Sequence, residues 1–202
     1  MWIPFQKLRL RFRHKRGLAR ASQGDVDGAI SEFTRAIALD PTCASSFTNR
    51  GTARAMKGDL DGALADFDQA IKLDPREALA FYNRGSAKLD KRDFEGAIAD
   101  YDAALQICPD HANTYYKRGL AWLKEGELDK AIADLNKAIE LNPQDASAHA
   151  NRARARRAKG DPEGAAADFA RAKALYGDIG EAEVRYYDDD GELFGDDNEP
   201  EP

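Results

Sequence analysis

Cysteine is almost missing: Cys43 and Cys108 are the only two in 202 residues, and they stand far apart. That excludes a disulfide framework and the closely spaced ligand pairs of a zinc site. Histidine is as scarce, and His14, His111 and His149 fall in no metal-ligand spacing. No run approaches the roughly 18 apolar residues that can span a bilayer. Eight prolines and 16 glycines are too few for a low-complexity chain. No nucleophile motif, phosphate-cradling loop or EF-hand is present. Basic excess is lacking too, since the formal net charge is −6, and this argues against a nucleic-acid binder. The expectation is a non-catalytic protein without cofactor, catalytic residue or metal site, placed in the cytoplasm.

What is present is uneven in charge. Residues 1–20 carry seven basic side chains and no acid, whereas residues 181–202 carry ten acids and one arginine. The start, MWIPFQKLRLRFRHKRG, has arginines where a secretory leader would need its apolar segment. Its basic, acid-free composition also fits a mitochondrial leader, but it runs without a break into the pattern described next. The alternation LRLRF has strand period, and Trp2, Ile3, Phe5, Leu8 and Leu10 have no evident partner. Capping of the first unit, self-association and contact with an anionic membrane surface all remain open for them.

Five residue series repeat at one period. Pro41, Pro75, Pro109 and Pro143 are 34 residues apart, and so are Gly17, Gly51, Gly85 and Gly119, with Ala153 taking the next turn. Ala29, Ala63, Ala97, Ala131 and Ala165 keep the same step, as do Ala36, Ala70, Ala104, Ala138 and Ala172. Alongside run Phe33, Phe67, Tyr101, Leu135 and Phe169. A fixed period of this length signals a stacked repeat architecture. Each unit reads as two helices. Ala44 to Lys57 is helical in composition, Gly58-Asp59 interrupts it, and Leu60 to Leu73 resumes before Asp74-Pro75. Asp59 suits an N-cap, and Asp25, Asp93, Glu127 and Asp161 hold the same place. Small residues such as Gly51 and Ala70 let two helices approach to the close end of the usual range, with Phe67 filling the space beside them.

Phe47, Gly51, Ala63, Phe67, Ala70 and Pro75, and again Phe81, Gly85, Ala97, Tyr101, Ala104 and Pro109, give a pattern that resembles the tetratricopeptide repeat. The resemblance implies an all-α, right-handed helical-hairpin solenoid of about five repeats, at residues 10–43, 44–77, 78–111, 112–145 and 146–179. Residues 1–9 form a basic and apolar N-terminal segment. Residues 180–202 form a partial capping helix, expected over 178–187, and a disordered acidic tail. The terminal units depart from the pattern: Arg13 and His149 stand where Phe47, Phe81 and Tyr115 stand, and Gly177 replaces the proline. Such departures suit units that lack one neighbour.

Arg16, Arg50, Arg84, Arg118 and Arg152 recur in the first helices, and Glu32, Asp66, Asp100, Asp134 and Asp168 in the second. One-to-one recurrence points to internal ion pairs rather than a ligand ladder. The resemblance also implies that the first helices line a concave groove. Helical spacing then turns Arg11, Lys15, Lys117, Lys124, Arg154 and Arg157 toward it, with Asp90 the one opposing acid. The same face carries Thr48, Leu120 and Leu123. The expected ligand is an extended acidic peptide segment of a partner protein. Lys15, Lys117, Lys124, Arg154 and Arg157 would hold its carboxylates. Asn49, Asn83 and Asn151 would bond its backbone, and Tyr82 and Tyr116 would offer flat contact area. The family's clamp for chaperone C-termini is incomplete here: Asn49 and Asn83 match its middle, but its lysine–asparagine pair is missing. The acidic tail, with Leu193 and Phe194 as anchors, is a second candidate occupant of the groove. The alternative function is a self-assembling structural protein joined through its N-terminal segment, and the partner expectation includes a homo-oligomer through the terminal units.

Overall fold

The computed structural model describes residues 5–176 and two short strands, Tyr186–Tyr187 and Leu193–Phe194, with side-chain surroundings from Leu8 to Tyr176. Ten helices follow one another in the described chain: α1 (Phe5–Ser22), α2 (Val26–Leu39), α3 (Ala44–Met56), α4 (Leu60–Leu73), α5 (Ala78–Asp90), α6 (Phe94–Ile107), α7 (Ala112–Lys124), α8 (Leu128–Leu141), α9 (Ala146–Ala158) and α10 (Pro162–Tyr176). They pack as five hairpins, α1 with α2 through α9 with α10, and each second helix packs on the first helix of the next hairpin. The strand reading of LRLRF is corrected, because those residues lie inside α1. Most of the expected capping helix over 178–187 lies outside the described residues. Its last two positions, Tyr186–Tyr187, pair antiparallel with Leu193–Phe194 instead.

Four of the five second helices begin at an aspartate that caps them. The carboxylates of Asp25, Asp59, Asp93 and Asp161 accept from the backbone N–H of Gly28, Gly62, Gly96 and Gly164 at 2.8–3.0 Å. The glycine is required there. A Cβ added at Gly62 would lie 2.2 Å from the Asp59 carboxylate, and the same holds at the other three. Unit four breaks the rule on both sides, with Glu127 and Lys130. Glu127 makes no side-chain cap bond, contrary to the expectation from sequence, and its carboxylate pairs with Lys130 at 3.2 Å instead. The longer side chain and the occupied Cβ position exclude the short Asp–Gly geometry.

The other glycine series allows close helix approach. A Cβ on Gly17, Gly51 or Gly85 would sit 2.6–2.9 Å from the rings of Phe33, Phe67 and Tyr101, so only hydrogen fits under them. These three rings are sealed, at 0–1% exposure. The core is a row of small clusters rather than one centre. Phe33 packs with Ala29 and Ala53, Phe67 with Ala63 and Ala87, and Leu135 with Ala138 and Ala148. Each cluster joins the second helix of one unit to the first helix of the next, which makes the fold quasi-one-dimensional.

Buried acids recur between these clusters, and the arginine series meets them as expected. Arg50, Arg84, Arg118 and Arg152 make bidentate bonds to Asp66, Asp100, Asp134 and Asp168 at 2.5–2.9 Å. The acids are only 3–7% exposed. Each arginine also reaches back one unit, to Thr34, Asp68, Asp102 and Asn136 respectively. Phe47, Phe81 and Tyr115 lie under the guanidinium groups at 5.5–5.6 Å. In unit one Phe12 takes that role beneath Arg16, one position earlier than the sequence pattern would place it. Arg13 then hydrogen-bonds Glu32 directly at 2.9 Å.

Candidate functional site

Among the described residues, consecutive odd-numbered helices touch one another, whereas consecutive even-numbered helices do not. A stack whose first helices are closer together than its second helices must curve toward the first. The inner face is therefore built by α1, α3, α5, α7 and α9.

Much of the polarity on this face is used between neighbouring units. Burial lowers the pKa of His14, so its ring is neutral near pH 7, and its Nε2 then accepts from Asn49 Nδ2 at 3.2 Å. The amide of Asn83 donates to Thr52 Oγ1 at 3.0 Å, and that of Asn151 to the Tyr116 hydroxyl at 3.3 Å. The three asparagines expected to bond a peptide backbone thus also tie α3, α5 and α9 to the first helix before each of them. Tyr82 is half-buried, edge-on to His111 at 5.3 Å and tilted against Tyr101 at 6.0 Å. Thr48, read as groove-facing, is sealed at 1% exposure beneath the start of α5. Lys15 stands exposed on α1 at the far end, and Lys117 is half-buried on α7.

The structure gathers three of the expected cations at one place. Between units four and five lies a cleft of about 380 Å³, walled by Leu120, Leu123, Leu128 and Phe169 and rimmed by Lys124, Arg154 and Arg157. Arg154 is oriented by a bond from its Nη1 to Asn151 Oδ1 at 3.1 Å. Leucine side chains supply apolar area that an entering side chain can bury, at about 25 cal/mol per Å². Cations at the mouth add charge where a neighbouring carboxylate would lie.

Phe169 and Leu128 were not singled out by groove spacing, because they belong to α10 and α8. The signal that could have found Phe169 is its place in the last unit. Phe169 is only half-buried and lines the cleft, and no following helix in the described chain covers it as α3 covers Phe33 and α5 covers Phe67.

Comparison with known proteins agrees with this architecture. Family profiles described as tetratricopeptide repeat match residues 14–75, 48–112 and 84–156, which together cover most of the chain. The chain is a tetratricopeptide-repeat protein. No curated protein sequence matches this repeat protein. Among solved structures, a crystal structure of MamA protein is 27% identical, covering 83% of this chain and 91% of its own, with a TM-score of 0.73. A fragment of MamA (41-end) from Desulfovibrio magneticus RS-1 is 24% identical over 83% of this chain and 95% of its own, with a TM-score of 0.76. YrrB, described as a TPR protein with an unusual peptide-binding site, is 19% identical over 83% of this chain and 86% of its own, with a TM-score of 0.69. As a tetratricopeptide-repeat solenoid, the protein is a scaffold for protein–protein contact. Among the described residues no helix is long and apolar enough to cross a membrane.

Proposed function

We propose that this repeat protein is a non-catalytic adaptor that holds an extended, acidic segment of a partner protein along its concave face. The observation that carries the reading is the cleft between units four and five. Its leucine and phenylalanine walls accept an apolar side chain, and Lys124, Arg154 and Arg157 receive the carboxylates beside it. Lys117, Asn151, Tyr116, Asn83, Tyr82, Asn49 and Lys15 extend the track along the inner helices. The free thiols of Cys43 and Cys108 suit the reducing cytoplasm. A chain of net charge −6 with its cations concentrated on one face suits a protein partner rather than a nucleic acid.

The test is capture of partners by the intact chain and by a variant with Lys117, Lys124, Arg154 and Arg157 changed to alanine. Partners retained by the first and lost by the second, with helicity unchanged by circular dichroism, support the reading. Their acidic segments can then be mapped with overlapping peptides. Equal capture by both would move the binding surface off the concave face.

A second reading rests on α1. Leu8, Phe12 and Leu18 are 56%, 58% and 46% exposed, an apolar surface at the open end of the first unit. Self-association through that end predicts a mass that rises with concentration in analytical ultracentrifugation. Phe12→Ser would then keep the protein monomeric.

A further inference from the structure

The cleft between units four and five has a candidate occupant in the same chain. Residues 188–197 read DDDGELFGDD, with Leu193 and Phe194 the only large apolar residues among six acids. The cleft has the complementary pattern, apolar walls inside a rim of three cations. The path is short as well. The Tyr176 hydroxyl, at the end of α10, is hydrogen-bonded to Ser147 Oγ at 2.9 Å, so the chain leaves the last helix beside the start of α9. From Ser147 to Arg157 is ten residues of helix, about 15 Å at 1.5 Å per residue. The antiparallel pairing sets Leu193 and Phe194 beside Tyr187 and Tyr186, and residues 177–185 before it can span about 30 Å when extended. The distance is well within reach without disturbing the solenoid.

We propose that residues 188–197 dock in this cleft within their own molecule, with Leu193 and Phe194 between the leucines and Phe169, and the flanking carboxylates on Lys124, Arg154 and Arg157. The tail then acts as a displaceable guard of the partner site, and only segments that outcompete it are held. This rests on the reading of the groove as an acidic-peptide site. Tethering sets the competition: a short flexible linker gives an effective concentration of about 1 mM. A tail segment of intrinsic Kd about 0.1–0.5 mM would then weaken an external ligand by roughly three- to tenfold. Charge pairing at the exposed rim makes the guard weaker in salt, because the Debye length falls from about 10 Å at 0.1 M to about 3 Å at 1 M.

The experiment uses the full chain and its double variant Leu193→Ser, Phe194→Ser. The assigned methyl resonances of Leu120, Leu123 and Leu128 are compared between the two, and a fluorescent synthetic copy of residues 188–197 is titrated into each. The proposal expects the methyl resonances to differ at all protein concentrations and the probe to bind the variant about three- to tenfold more tightly. Unmoved methyl resonances with equal probe affinity would overturn the docking while leaving the groove as an acidic-peptide site. A probe that binds neither chain would overturn both. Methyl differences that grow with protein concentration would place the segment in a second molecule and overturn the in-chain contact.

Discussion

The recurring arginine shows how much one side chain holds in this fold. Arg118 grips Asp134 with two nitrogens, reaches Asp102 in the preceding unit, and lies over Tyr115. Its hydrogen bonds to Asp134 and the two acidic charges push its pKa above the ordinary arginine value. Arg118→Ala strands the buried Asp134 and is expected to cost about 3–5 kcal/mol in urea denaturation, with Arg118→Lys recovering only part. The exposed pair Lys57–Asp27, at 2.6 Å, is a different case, and Lys57→Ala should leave the urea midpoint nearly unchanged. The one-to-one pairing was legible in the 34-residue recurrence. The backward reach to Asp68 and Asp102 was not, because those acids recur in only part of the chain. At Asp168, burial alone would raise the pKa. Arg152 and Arg156 outweigh it and hold the group below the ordinary carboxylate value. The stability Asp168 contributes is therefore full above the unfolded-state value and is lost as pH falls through the lower folded value.

Glu77 has the opposite sign. Burial raises its pKa and outweighs a hydrogen bond from Thr48 that lowers it, Asp74 adds to the rise, and its Oε2 is buried with no hydrogen-bond partner. The folded state binds this proton more tightly than the unfolded chain, so Glu77 costs stability once pH rises above its unfolded value of about 4.3. Glu77→Gln should raise the melting temperature at pH 7, and the gain should shrink as pH falls below about 4, as thermal melts across pH would show.

At the level of the helix and its turn, unit three and unit four carry the exceptions. Gly24, Gly58, Gly126 and Gly160 occupy the inter-helix turn with φ of +78° to +85°, and Arg92 holds the same place at +62°. A side chain in the left-handed region costs about 1–2 kcal/mol, against a smaller entropic cost for glycine. Arg92→Gly is expected to stabilise the protein by about 0.5–1 kcal/mol, read as a higher urea midpoint. Helix positions, turn lengths and the aspartate caps were visible in the sequence because each rests on a local residue choice. The failed cap at Glu127 was also written there, but in Lys130, three residues on. Groove polarity was only half legible. Helical spacing places Asn49, Asn83 and Asn151 on the inner face, but their bonds to His14, Thr52 and Tyr116 depend on how neighbouring units stack.

Across the whole molecule, stability is a sum over neighbouring units, since each core cluster bridges only two of them. An outer row of ion pairs runs beside those clusters. Lys57 meets Asp27, Lys91 meets Asp61, and Lys159 meets Asp129. At the same step the sequence has Glu125 and Glu95, two acids, so this bridge cannot form between the third and fourth units. Glu125→Lys should restore the bridge and slow hydrogen exchange in α6 and α7 more than in α2 and α3, with a gain of up to about 1 kcal/mol.

That interrupted row divides the solenoid mechanically. Pulled from its two ends, the array bears the same tension at every junction. Between the third and fourth units the outer row offers no lysine bridge, so the load there falls on the Arg118–Asp102 pair and on the packing of α6 against α7. A pull applied through a partner in the cleft would be felt first by units four and five and would pass to the other three through that pair.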